Sequence, residues 1–431
     1  MIFFKKQFQR DQIIFTTIII LVIVLSSCSL RKNYFRSYND IYSASESDKI
    51  IFTNSIIHQD NQNSWLYYSI ESIQLRYKKT DFDSLYTATF KLSYQLPEAS
   101  GHKKSGDTLY FILSDHIKKI TKHKIEGKVK IKITQGFKGF LDISLLDLNS
   151  GRRGFIAVYV NKEDILSGQN FFLSKNRFNE NPDYKIIPGD SIFFYNNRLR
   201  QLKKIQIHEF NLPDEPAPPP FSSIETSYEI KPKKTFNLFN SSGNFKQRIN
   251  AKGFYFFKSD SSINKGLCVS VIDENFPLIV SDSEKINCMR YILSNDEFKM
   301  AKSSEQNKNT IIELWKIFTG SEKRATNLMS EWYKRASIAN DFFTAVKEGW
   351  KTDRGMIFLV FGHPRKVEKT NEKETWFYGD NNALHSFYFE FDKIQSPYSE
   401  NEYLLRRSTS LKNRWYEAVD TWRKGRIYSG Y

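Results

Sequence analysis

The 431-residue chain has three cysteines, twelve prolines and seven histidines, and these scarcities narrow its function before any motif does. The histidines (His58, His102, His116, His123, His208, His363, His385) are scattered. No His-Glu-x-x-His, no Gly-x-Ser-x-Gly and no phosphate-binding loop occurs. The common zinc-hydrolase, serine-hydrolase and P-loop readings therefore have nothing to stand on. No catalytic residue, metal or cofactor is expected. Acidic residues are also short, 48 against 64 basic ones, a net charge of +16. Only one long apolar run is present, Ile13 to Leu25, and it falls short of the roughly 20 residues that span a bilayer as a helix.

That run follows Lys5, Lys6 and Arg10 and ends on Leu25-Ser26-Ser27-Cys28. A basic start, a short apolar stretch and small residues describe a cleaved signal peptide. The ending resembles the lipobox of bacterial lipoproteins, which implies cleavage before Cys28 and lipidation there. Residues 1–27 would be removed, leaving 404 residues with a charge of about +14 and 28–49 as a lipidated tether. Several acyl chains anchor stably where one is marginal. No acidic cluster follows Cys28, so the expected location is the periplasmic face of the outer membrane. Outside the cytoplasm a basic balance points to anionic lipid, lipopolysaccharide or acidic proteins and not to nucleic acid. The remaining cysteines, Cys268 and Cys288, could form a disulfide, which that compartment permits, or stay as two buried thiols.

From Ile50 the chain is β-rich. Val129, Ile131 and Ile133 alternate with Lys128, Lys130 and Lys132, the period of a half-buried strand. Seven such runs, separated by turn residues, predict an immunoglobulin-like sandwich over 50–165. A second sandwich is expected over 166–281, with a hairpin at Asn196-Asn197. The stiff stretch 213–220, Pro-Asp-Glu-Pro-Ala-Pro-Pro-Pro, is placed as a loop inside it.

Near Asp282 the period becomes helical. Ser294 and Glu297, then Thr319 and Glu322, have capping-box spacing. A long helix follows with Ala325, Leu328, Trp332, Ala336, Ala339, Phe343 and Val346 on one face, and Gly349 stands where a helix C-cap glycine belongs. The next residues are Gly349-Trp350-Lys351-Thr352-Asp353-Arg354-Gly355, an apolar run Met356–Phe361 expected to be a strand covered on both faces, and Gly362-His363-Pro364. Aromatic strands and a closing helix with Trp415 and Trp422 complete a small α+β unit, 282–431. The whole fold is expected to be two all-β sandwiches followed by this domain of helices and a small antiparallel sheet.

The long helix, the Gly-Trp-x-Thr-Asp motif, Gly-x-Pro and the Trp-x-Tyr strand together resemble the GWxTD domain of bacterial (Bacteroidetes-type) envelope lipoproteins, over about residues 282–425. The resemblance implies an envelope location and this architecture. It implies no reaction. In the residues themselves, Trp350 is expected to seal the helix against the sheet. Thr352 and Asp353 would satisfy turn amides, Arg354 would pair with Asp353 or with helix-end carbonyls, and Gly355, Gly362 and Pro364 would shape the turns. Alternatively, Trp350, Thr352, Asp353 and Arg354 form a pocket rim that binds peptide or glycan. The expected function is structural or scaffolding, with envelope proteins as partners and the β-domains holding the last unit away from the bilayer. The competing class is a periplasmic enzyme or binding module using the same motif.

Overall fold

The computed structural model describes residues 36–37, 50–79, 85–95, 108–175, 182, 186–198, 202–223, 230–240, 244–258, 265–303, 310–379 and 386–429. Cys28, the signal peptide and nearly all of the tether lie outside them. A two-residue strand, β1 (Arg36–Ser37), precedes the first β unit. That unit comprises β2 (Phe52–His58), β3 (Asn63–Glu71), β4 (Lys78–Lys79), β5 (Tyr86–Gln95), β6 (Leu109–Ile117), β7 (Lys124–Lys132), β8 (Lys138–Asp147) and β9 (Arg153–Asn161). Strands β2-β3-β7 form one antiparallel sheet, and β4-β5-β8-β9, with β6 on the free side of β5, form the other. Inward residues of both share a core, Leu66, Val129 and Ile131 from one and Phe90, Leu92, Ile143 and Leu145 from the other. The alternation read in the sequence is therefore the pleat of a two-layer packing.

The second unit has β10 (Phe171–Ser174), β11 (Ser191–Asn196), β12 (Lys204–Phe210), β13 (Lys234–Phe239), β14 (Phe245–Arg248), β15 (Gly253–Lys258) and β16 (Gly266–Val271). The sheets are β10-β11-β14 and β13-β12-β15-β16. Asn196-Asn197 is not a hairpin: β11 pairs with β10 and β14, whereas β12 belongs to the facing sheet. The chain crosses between layers there, which polar turn residues allow equally well. Strand β14, four residues with one buried apolar position, is too short to show a period.

The last unit contains α1 (Asp282–Cys288), α2 (Asn295–Ser303), α3 (Thr310–Thr319), α4 (Glu322–Phe343), α5 (Asp353–Phe361) and α6 (Lys412–Arg423). Its sheet comprises β17 (Lys366–Lys369), β18 (Lys373–Tyr378), β19 (Phe387–Lys393) and β20 (Tyr403–Leu405), with β1 added at the β17 edge. Three expectations fail here. The run Met356–Phe361 is not a strand but most of helix α5, all nine of whose residues are buried. A helix that is apolar all round shows no amphipathic period, so a short buried run reads equally as a two-sided strand. Thr319 and Glu322 form no capping box; the α4 N-cap is Ser321, without a side-chain bond, and the Thr319 hydroxyl lies within hydrogen-bond distance of Trp315 O and Ser321 O. Gly349 is not a left-handed C-cap, because α4 ends at Phe343 and Gly349 opens a separate 3-10 turn.

The three units touch pairwise. Ile57 and Tyr67 of the first meet Phe172 of the second, and Tyr67 and Phe172 lie edge to face at 6.2 Å. Phe210, Phe254 and Phe256 of the second close on Val346 and Tyr398 of the third. Phe140 and Tyr159 of the first lie under Lys369 and Lys393 of the third, at 4.7 and 3.1 Å from the ring centres.

Candidate functional site

The motif begins where α4 stops. Thr344 Oγ1 donates to Asn340 O at 2.6 Å and accepts from Gly349 N at 2.9 Å. Asn340 Oδ1 accepts from Trp350 N. This folds the chain back so closely that a Cβ on Gly349 would lie 1.9 Å from Ala339 O, and one on Gly355 would lie 1.9 Å from Gly349 O. Glycine is required at both positions by backbone approach. The fully buried Trp350 donates its Nε1 proton to Glu348 at 2.8 Å, and its ring meets Tyr291 edge to face at 6.3 Å. It belongs to the core that α4, α5 and the sheet share.

Thr352 is the N-cap of α5, its Oγ1 accepting from Gly355 N at 3.1 Å and donating to Gly349 O at 2.7 Å. At the other end of α5, buried side chains satisfy the carbonyls that any helix end leaves free. Arg335 reaches Leu359 O, the Trp422 indole reaches Val360 O, and the Tyr378 hydroxyl reaches Gly362 O. Gly362 has φ of 78° and lies against the Arg335 guanidinium, 2.9 Å from where a Cβ would be. Pro364 is buried just before β17.

Asp353 and Arg354 do not pair with each other. Asp353 accepts the Leu405 amide at 2.8 Å and both terminal nitrogens of Arg407. Arg354 turns the other way, to Glu374 Oε2 at 3.1 Å and Asn401 O at 3.0 Å, with its guanidinium 4.0 Å from the Tyr403 ring centre. Glu374 also holds Lys369 at 3.2 Å and accepts from the Trp376 indole at 2.8 Å. Burial alone would push the Glu374 carboxyl up, but Lys369 and Arg354 hold it down to about 2. Asn401 donates to Phe342 O and Thr344 O, closing the α4 C-terminus.

Thr352, Asp353 and Arg354 are 8, 4 and 2 % exposed. The cavity they line, with Ala345, Lys347, Asn401 and Tyr403 among others, holds only about 20 Å³, room for about one water. Asp353 and Arg354, the motif groups suited to acid–base or anion chemistry, are each committed to partners within the protein. Among the described residues no cluster of His, Cys, Asp and Glu is suited to a metal, and no helix is long and apolar enough to cross a membrane. Cys268 and Cys288 are free thiols and not a disulfide; each packs in a different apolar cluster, and burial pushes Cys268 up to about 12.

The proline-rich segment is the unanticipated part of the site. It leaves the second unit and docks on the motif. Ala217 is buried and its amide donates to Lys351 O at 2.9 Å. Asp214 pairs with Lys351 at 2.8 Å, Pro218 O accepts from Arg407, and Pro220 O accepts from Ser408 N. Arg407, Asn401 and Glu374, the partners that organise the motif, lie 20 to 54 residues beyond it.

Residues 253–424 match the profile of the GWxTD domain family. The match begins at β15, so the last hairpin of the second sandwich lies inside the family unit, 29 residues before the helical region that carries the resemblance in the sequence. No curated protein matches the chain.

Proposed function

We propose, with the GWxTD domain of this chain as premise, that the protein is an envelope lipoprotein anchored through Cys28 on the periplasmic face of the outer membrane. It serves there as a structural or docking element of an envelope assembly. The observation that carries this reading is the burial of the motif: the residues that look like chemistry are spent on joining α4, α5, the sheet and the proline-rich segment. A carboxylate held by an amide and a bidentate arginine is neither a free base nor a ligand. The interlocked contacts among the three units favour a rigid body that presents surfaces to other proteins.

The tether adds a constraint. Arg36 pairs with Lys369 at the β17 edge, and the eight residues from Cys28 to Arg36 span at most about 28 Å. The GWxTD unit is then held close to the bilayer and not carried far from it.

The test is in-cell cross-linking of the tagged chain followed by gentle solubilisation, wild type beside Trp350→Ala. Co-purification of a reproducible set of envelope proteins is expected. A wild-type chain that cross-links to nothing and purifies alone contradicts the docking reading.

A further inference from the structure

One end of the first sandwich gathers the loops Ile50–Ile51, 72–79, 117–124 and 147–153. They are tied to one another. Ile51 N donates to Gln74 Oε1 at 2.6 Å, Gln74 Nε2 donates to Ile51 O at 2.8 Å, and the Ser72 hydroxyl donates to Thr121 O at 2.9 Å. Arg152 reaches Gln74 O, and Asn149 reaches Arg76 O. The loops therefore form one surface, not separate tips.

On that surface four aliphatic side chains point to solvent: Ile51, Ile73, Ile120 and Leu148, 60, 63, 55 and 44 % exposed. Single exposed apolar residues are ordinary, but several grouped on one surface mark an interaction site. Around them stand exposed cations, Lys118, Lys119 and Lys122 flanking Ile120, with Lys78, Lys79 and Arg153 on the neighbouring loops. Described carboxylates are few there: Asp147 is buried and accepts from Arg76 N and Asn149 N, Asp115 pairs with His123 and Tyr77, and half-buried Glu71 stands opposite Lys124, so cations outnumber them. Aliphatic tips inside a basic ring match the two layers of an anionic bilayer surface, acyl boundary below and headgroup charge above.

We propose that this end of the first sandwich is a bilayer-docking face that takes anionic phospholipid. The inference rests on the envelope reading above and adds a surface to it. The tether geometry agrees. From Phe140, which lies under Lys369, to Asp147 at the patch is seven residues of strand, about 23 Å. That is comparable with the about 28 Å available from Cys28 to Arg36, a length on the scale needed for acyl chains and patch to meet one bilayer.

The probe is co-sedimentation of the unacylated chain, Ser29 to Tyr431, which contains every described residue. Vesicles of phosphatidylglycerol with phosphatidylethanolamine are compared with phosphatidylcholine vesicles. The wild type binds the anionic vesicles and weakens with salt. Ile73→Glu/Ile120→Glu and Lys118→Glu/Lys119→Glu/Lys122→Glu each bind at least tenfold more weakly, with unchanged melting curves. Ile317→Glu, an exposed position on α3, binds as wild type. Equal binding to both vesicle types, patch variants that bind like wild type, or capture of an acidic protein without vesicle binding overturns the proposal. Acylation of the native chain is read separately by mass spectrometry. Its absence sinks the Cys28 anchor and leaves the vesicle result standing, whereas unacylated chain that ignores vesicles sinks only the docking face.

Discussion

Asp353 and Arg354 are neighbours in the chain that face opposite ways: Asp353 is clasped by Arg407, and Arg354 lies over Tyr403 and bonds Glu374. The split arises because the two residues open α5, where successive side chains point about 100° apart. One pair fastens the helix start to the strand that leads to Arg407. The other fastens it to the sheet and, through Asn401, to the end of α4. Two buried ion pairs specify how three elements meet, and each is costly to break from one side.

Backbone approach makes the glycines sensitive. Gly349→Ala and Gly355→Ala each place a methyl group 1.9 Å from a carbonyl oxygen and are expected to cost about 3 kcal/mol or more. Gly189→Ala, where φ is 99° and nothing lies within 4 Å, should cost about 1–2 kcal/mol. Urea unfolding of the three variants checks the order, and equal midpoints would contradict the close packing.

The proline-rich segment is predicted to be protected by its docking. Ala217→Arg puts a long cation where a buried methyl group lies beside Lys351 O. Limited proteolysis should then cut between 213 and 220 in the variant and not in the wild type. Cleavage at the same rate in both would mean that the segment is not held by these contacts.

Acid sensitivity should come in two stages. His58 is buried among neutral partners beside Lys162, and burial first, then the lysine charge, lowers it to about 4. Its folded value lies below its unfolded one, so its contribution is complete above about pH 6.5 and is lost toward pH 4. Glu374, held down to about 2, contributes fully above about pH 4.5 and loses that support as pH falls through 2. Each loss is on the order of 3 kcal/mol. Denaturation midpoints against pH should flatten between 6.5 and 4 in His58→Gln, and between 4.5 and 2 in Glu374→Gln. Unchanged slopes would contradict the assignments.

Local signals in the sequence carried the architecture well. The alternation at Val129–Ile133 is a real strand face, and Ser294 and Glu297 do cap reciprocally, the Ser294 amide on Glu297 at 2.7 Å and the Glu297 amide on Ser294 Oγ. Phe389 and Phe391 point inward as their spacing requires. The motif was legible as a joint, not in its wiring. Met356–Phe361 misled because complete burial erases the helical period. Arg407 and Asn401 were invisible because spacing of 54 and 47 residues carries no geometry. The proline stretch announced stiffness, while its docking site depends on Lys351 and Arg407, which no composition reveals.

The most direct test is a double-mutant cycle on Asp353 and Arg407, read by equilibrium urea unfolding of wild type, Asp353→Asn, Arg407→Gln and the double variant. The buried clasp predicts that each single variant loses about 3 kcal/mol, and that the double variant loses clearly less than the sum, a coupling above about 1 kcal/mol. Asp353→Asn unfolding at the wild-type midpoint, with the cross-linked partners lost, would contradict the joint and return the carboxylate to a chemical or binding role.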